Sequence, residues 1–109
     1  MHYVRPFRTL TLDDIPLVGG KNASFGEMIG SLAPLGVSVS DGFALTADAY
    51  RALLDGRGVR TQLRDALAKL VPTDVESLRA CGAKARTALR EAPFPPAVLK
   101  ELESAYADL

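Results

Sequence analysis

The residues best placed to do chemistry are Gly19, Gly20 and Lys21, which stand in front of an amphipathic run. Phe25, Met28, Ile29 and Leu32 follow with the i, i+3, i+4, i+7 spacing of a helix that buries one face, so a helix is expected from about Ala23. Asn22 is the expected N-cap, its side-chain oxygen accepting from an amide of the first turn. The two glycines and the lysine then form a loop at a helix N-terminus, where unpaired N–H groups and the macrodipole favour an anion. Glycine lets a phosphate come close to the backbone, and lysine adds a compact, mobile positive charge. The common P-loop spacing, G-x-x-x-x-G-K-[ST], is absent. Taken alone, G-G-K therefore leaves two readings open: a phosphate site, or a glycine turn beside a solvated lysine.

Other reactive residue types are sparse. Glu27 sits on the same helix and reads as a capping or salt-bridge partner rather than a metal ligand. Thr46 reads first as a helix cap, with a nucleotide contact as the second possibility. His2 is the only histidine, close to the N-terminus and expected to be exposed and idle. Cys81 is a lone thiol expected to pack in a helix. Arg57, Arg60 and Arg64 alternate with Asp55 and Asp65, the pattern of a solvated face. His, Cys and clustered carboxylates are too few for a metal cage.

The elements that position these residues are mostly helical. Residues 3–7 are an extended candidate that Pro6 restricts to an edge or end, and Thr11 caps a single turn leading into the glycine loop. The Ala23 helix should stop before Pro34 and leave through Gly36. Residues 37–39 are a possible strand, and Phe43-Ala44-Leu45 a further short one. Thr46 then caps a helix with Tyr50, Leu53 and Leu54 inward, ended by Gly56 and Gly58. Leu63, Ala66, Leu67 and Leu70 mark the next helix face, closed by Pro72. Thr73 and Glu76 form an expected capping box for a helix with Val75, Leu78, Gly82, Ala85 and Leu89 on one stripe. Pro96 suits the first turn of a last helix, in which Leu99, Leu102, Tyr106 and Leu109 share a side. The fold class is α/β (α+β), mostly helical, with two or three short strands near the N-terminus. The apolar pattern still running at Leu109 reads as a cut rather than a designed end.

Composition excludes several classes. The 109 residues allow one small domain with a modest core. Thirteen basic and thirteen acidic side chains cancel, so no field points to nucleic acid or a membrane surface. Hydrophobic residues make up 48%, yet no apolar run reaches the roughly 20 residues that span a bilayer. A single cysteine forms no internal disulfide, which fits a cytoplasmic protein.

V-G-G-K-N-A-S-x-G-E-M from Val18 to Met28, joined to G-V-x-V-x-x-G-F-A-x-T-A from Gly36 to Ala47, resembles the opening of the phosphoenolpyruvate synthase (pyruvate, water dikinase) family. The likeness continues through Ala92-Pro93-Phe94-Pro95 and Ala105-Tyr106-Ala107-Asp108-Leu109, so it covers nearly the whole chain. It implies that residues 1–109 are the N-terminal part of an ATP-grasp nucleotide-binding domain in a gluconeogenic phosphotransferase. Such an enzyme converts ATP, pyruvate and water to phosphoenolpyruvate, AMP and phosphate, through a histidine on a separate domain. The resemblance makes Lys21 the lysine that reaches the ATP phosphates, with Gly19, Gly20 and Asn22 shaping the loop. It places the Mg2+ ligands, the phosphohistidine domain and the pyruvate-binding domain outside this segment, so the segment alone is expected to be inactive. Two departures stand out: Ser40 where proline is usual, and Phe25 where leucine is usual. Pyruvate, phosphate dikinase and rifampicin phosphotransferase share the module, and a non-catalytic relic acting through protein contacts is the remaining alternative. The G-V-S-V and A-P-F-P wording favours the synthase.

Overall fold

The computed structural model describes residues 3–109, so His2 lies outside the described residues. The chain forms two compact units, one made of the residues up to Tyr50 together with Pro96–Leu109, the other of Arg51–Pro95.

The first unit is built around a short antiparallel ribbon. Strand β1, Val4–Pro6, pairs with β2, Phe43–Leu45, in the register Val4↔Leu45 and Pro6↔Phe43. The pairing is lengthened at both ends, by the Phe7 amide on the Gly42 carbonyl (2.9 Å) and the Thr46 amide on the Tyr3 carbonyl (2.9 Å). Pro6 stands at the strand end, where its missing N–H removes nothing from the ladder. Residues 37–39 form no strand: after Gly36, left-handed at φ 84°, residues 37–42 run without regular structure, and residues 37–39 belong to no sheet.

Between the strands the chain makes a 3-10 turn at Phe7–Thr9, a second at Leu12–Asp14, the single-turn helix α1, Ile15–Val18, and the longer α2, Gly20–Leu32. α2 begins three residues earlier than the apolar spacing suggested. Its buried positions are Ala23 and Gly26, while Phe25, Ile29 and Leu32 are half-buried and Met28 is exposed. The small residues win this face because the chain at Leu10 lies directly on it. A Cβ built on Gly26 would come within 2.7 Å of the Leu10 carbonyl carbon. Leu10, Val18, Ala23 and Ala44 make the core here, with Phe7 and Leu17 packed against them. Phe25, large for its place, is accommodated by stacking on Phe7, with ring centroids 5.1 Å apart and planes within 5°.

α3, Ala47–Leu54, starts from Thr46, whose hydroxyl accepts from the Ala49 amide at 3.3 Å. Ala49 is its buried residue; Leu53 and Leu54 are half-buried, and Tyr50 is exposed rather than inward. The last helix, α6, Pro96–Ala107, closes the unit against β1.

In the second unit the left-handed pair Arg57 (φ 46°) and Gly58 (φ 72°) turns the chain into α4, Val59–Ala68. α5, Val75–Glu91, packs back on it. Val59, Ala66 and Cys81 are buried, whereas Leu67, Val75 and Leu78 of the expected stripes are exposed. The cap of α5 is Asp74, not Thr73: the Asp74 carboxylate accepts from the Glu76 amide at 3.0 Å, so the expected capping box is absent. One residue decides this, because Asp74 holds the extended backbone that a cap requires. Arg60 binds the Asp55 carboxylate at 2.7 Å on an exposed surface, as its alternating charges suggest.

α6, Pro96–Ala107, starts on Pro96. It buries Val98 and Ala105 with Leu102 half-buried, a stripe rotated from the expected one, leaving Leu99, Tyr106 and Leu109 exposed. Glu101 lies on the inward side, and its Oε2 accepts from the amides of Tyr3 (2.7 Å) and Val4 (2.9 Å).

Candidate functional site

The α2 N-terminus is formed by a break rather than by a cap. Gly19 adopts φ 83° and ψ 161°, a conformation open to glycine and strained for other residues. It separates α1 from α2, and α2 starts at the next residue. Gly20 and Lys21 therefore lie in the first helical turn, not in a loop, and Asn22 is not the N-cap. Asn22 instead donates from Nδ2 to the Val18 carbonyl at 2.9 Å, tying the last turn of α1 to the first turn of α2. A carboxamide can donate or accept, and here the free carbonyl of α1 is the group within its reach.

The first helical bond of α2 runs from the Ala23 amide to the Gly19 carbonyl, 3.1 Å. The amides of Gly20, Lys21 and Asn22 precede it, so the helix supplies them no acceptor, and Gly19 has no side chain to cap them. A Cβ built on Gly19 or Gly20 meets nothing within 4 Å, so the backbone faces open space. Lys21 is exposed and, among the described residues, pairs with no carboxylate.

The turn just upstream is the opposite case. Thr11 caps it with a complete box: its hydroxyl accepts from the Asp13 amide (3.2 Å), and Asp14 Oδ2 accepts from the Thr11 amide (2.9 Å). Glu27, reaching across from α2, accepts from the Leu12 amide at 3.0 Å. Three successive amides thus have side-chain acceptors at one helix start, while the start of α2 has no side-chain cap. Open amides next to an unpaired lysine can receive an anionic oxygen ligand.

Glu27 is a capping partner, as its place suggested, and no group of three or more metal-competent side chains occurs among the described residues. Thr46 is 2% exposed and its hydroxyl is engaged at the start of α3. It stands apart from Lys21 in the fold's construction, on β2–α3 rather than on α2. Sequence reading did not find the Glu27–Leu12 and Glu101–Tyr3 bonds. Both join residues far apart in the chain, and no local pattern announces them.

Residues 15–109 match the family described as the pyruvate phosphate dikinase AMP/ATP-binding domain. The chain belongs to this family. It is 45% identical over 105 residues to phosphoenolpyruvate synthase of Neisseria meningitidis, covering 96% of this chain and 13% of that protein. Phosphoenolpyruvate synthase of Escherichia coli is 43% identical over 103 residues, covering 94% and 13%. That of Pseudomonas aeruginosa is 44% identical over 109 residues, covering 100% and 14%. The chain thus spans about one seventh of the length of these relatives, in their N-terminal ATP-binding region. Within the matched segment lie α2, its open N-terminus and Lys21. No helix among the described residues is long and apolar enough to cross a membrane.

Proposed function

We propose that this chain is one wall of the ATP site of a cytoplasmic phosphoenolpyruvate synthase, in a domain of ATP-grasp type. The observation that carries the reading is the uncapped start of α2, bearing Lys21, inside a segment that matches an AMP/ATP-binding family. Lys21 and the amides of Gly20, Lys21 and Asn22 receive phosphate oxygens of ATP, and Gly19 supplies the break that exposes them. Asn22 acts through its backbone amide, while its side chain holds the break. Thr46 serves α3 and stays out of the nucleotide site. ATP is used with Mg2+, which neutralises phosphate charge; by the family resemblance its ligands lie outside this segment. The relatives' names support the synthase over other dikinases sharing the module. The complete enzyme then makes phosphoenolpyruvate, AMP and phosphate from ATP, pyruvate and water.

Phosphoryl transfer depends on positioning and positive charge, so loss of the lysine should act on the chemistry. In the dikinase containing this segment, Lys21→Ala is expected to lower transfer about 10²–10³-fold with the far-UV spectrum unchanged. Wild-type transfer rates in that variant would remove Lys21 from the site and the reading with it.

A further inference from the structure

We infer that Glu27 is a positioning residue for the phosphate-binding start of α2, acting through the Leu12 amide; the inference rests on the ATP reading given above. The lead-in from Leu10 to Val18 is fixed to α2 at three places: Leu10 lies on Gly26, the Leu12 amide donates to Glu27, and the Val18 carbonyl accepts from Asn22. All three anchors stand on one helix, at positions 22, 26 and 27. Between lead-in and helix lies Gly19, the residue with the greatest backbone freedom in the segment. A glycine joint keeps one geometry only when the elements on both sides of it are held. The packing at Gly26 sets the distance of approach, and Asn22 ties the near end of α1. Glu27 holds the far end, where the capped turn at Leu12–Asp14 would otherwise swing with α1 as a single body. Its carboxylate is the one acceptor for Leu12 that the Thr11 box itself does not provide. Glu27 therefore acts on the reaction without touching the nucleotide, by restricting the directions that the Gly20 and Lys21 amides can face.

The bond can be cut from either side. Glu27→Ala removes the acceptor. Leu12→Pro removes the donor, and it does so at the first position of a helical turn, where proline is well tolerated. Glu27→Gln keeps a carbonyl oxygen for the Leu12 amide while abolishing the charge. All are made in the dikinase containing this segment, with MgATP and pyruvate as probes, and read as KM for ATP, kcat and thermal midpoint. Glu27→Ala and Leu12→Pro are each expected to lower kcat/KM for ATP about tenfold, the size of one charge-assisted hydrogen bond. The double variant should be no worse than either alone. Glu27→Gln should return to within about threefold of wild type, the remainder being the loss of charge.

Equal losses in Glu27→Gln and Glu27→Ala would overturn the inference, because the charge itself would then be required. Multiplying losses in the double variant would overturn it too, as would a lowered midpoint with ATP kinetics unchanged. If Glu27→Ala fails to fold, Leu12→Pro and Glu27→Gln still decide. Lys21→Ala, run alongside, separates the two claims. A damaged Lys21→Ala with intact Glu27→Ala and Leu12→Pro sinks only the positioning role. An undamaged Lys21→Ala sinks the ATP reading from which that role follows.

Discussion

Gly26→Ala tests whether the approach of Leu10 to α2 controls the first unit. Alanine is the better helix former, and in an open helix interior the change stabilises by about 1 kcal/mol. At Gly26 the new methyl would stand 2.5 Å from the Leu10 Cβ and 2.7 Å from its carbonyl carbon. Carbon atoms pack best at about 3.5–4.0 Å, so Leu10 must retreat by about 1 Å. The obstacle is mostly backbone, and Leu10 is 3% exposed in a core with Val18, Ala23 and Ala44, so retreat opens that core. Overpacking of this kind costs about 1–3 kcal/mol, and the upper half of that range outweighs the helix gain, for a net loss of about 1–2 kcal/mol. Gly30, on the same helix, has nothing within 4 Å of a built Cβ, so Gly30→Ala is expected to gain up to about 1 kcal/mol. The two variants should therefore differ by about 2–3 kcal/mol, or about 10–20 °C in midpoint for a chain of this size. Because the chain has no tryptophan, thermal melts are followed by circular dichroism at a helical wavelength. A Gly26→Ala midpoint equal to or above that of Gly30→Ala would refute the close-approach argument.

Two further variants probe the caps and the long-range carboxylate. Asp74→Ala should lower stability by about 1 kcal/mol in urea titrations while Thr73→Ala stays near zero; the reverse order would restore the cap to Thr73. Glu101→Ala leaves the Tyr3 and Val4 amides without this acceptor beside a fully buried Val4, at a cost of about 1–3 kcal/mol. Hydrogen exchange should then quicken at those two amides first, and unchanged protection there would show that the carboxylate holds nothing.

What could be read from the chain and what could not divide along physical lines. Turn and cap residues announce themselves locally, which is why Thr11, Thr46, Pro96 and the two strands stand where their types suggest. Neighbouring cap-competent residues are harder to separate. Thr73 and Asp74 are both suitable, and the backbone at Asp74 decides. At α2, the torsions of Gly19 rather than the side chain of Asn22 mark the start. Helix faces are the least legible, because apolar periodicity gives most weight to large side chains. Here the contact faces carry small ones, Ala23, Gly26, Ala49, Ala66, Cys81 and Ala105, which let backbones come close. Gly19, Gly20 and Lys21 were visible as a group because glycine freedom and lysine charge are local properties. Glu27 is legible as a capping partner, but the amide it caps is not, since only the fold brings it to Leu12.

The bond from Glu101 to the Tyr3 amide joins residues 98 apart, across the whole of the second unit. On a ribosome adding about 5–20 residues per second, roughly 5–20 s separate the two partners. During that interval the α4–α5 hairpin, whose contacts are local, can already close, while β1 lacks the helix that covers it. The first unit is thus begun before the second and completed after it. An edge of unpaired backbone waits for α6, and any nascent-chain factor that shields such an edge would act in this window.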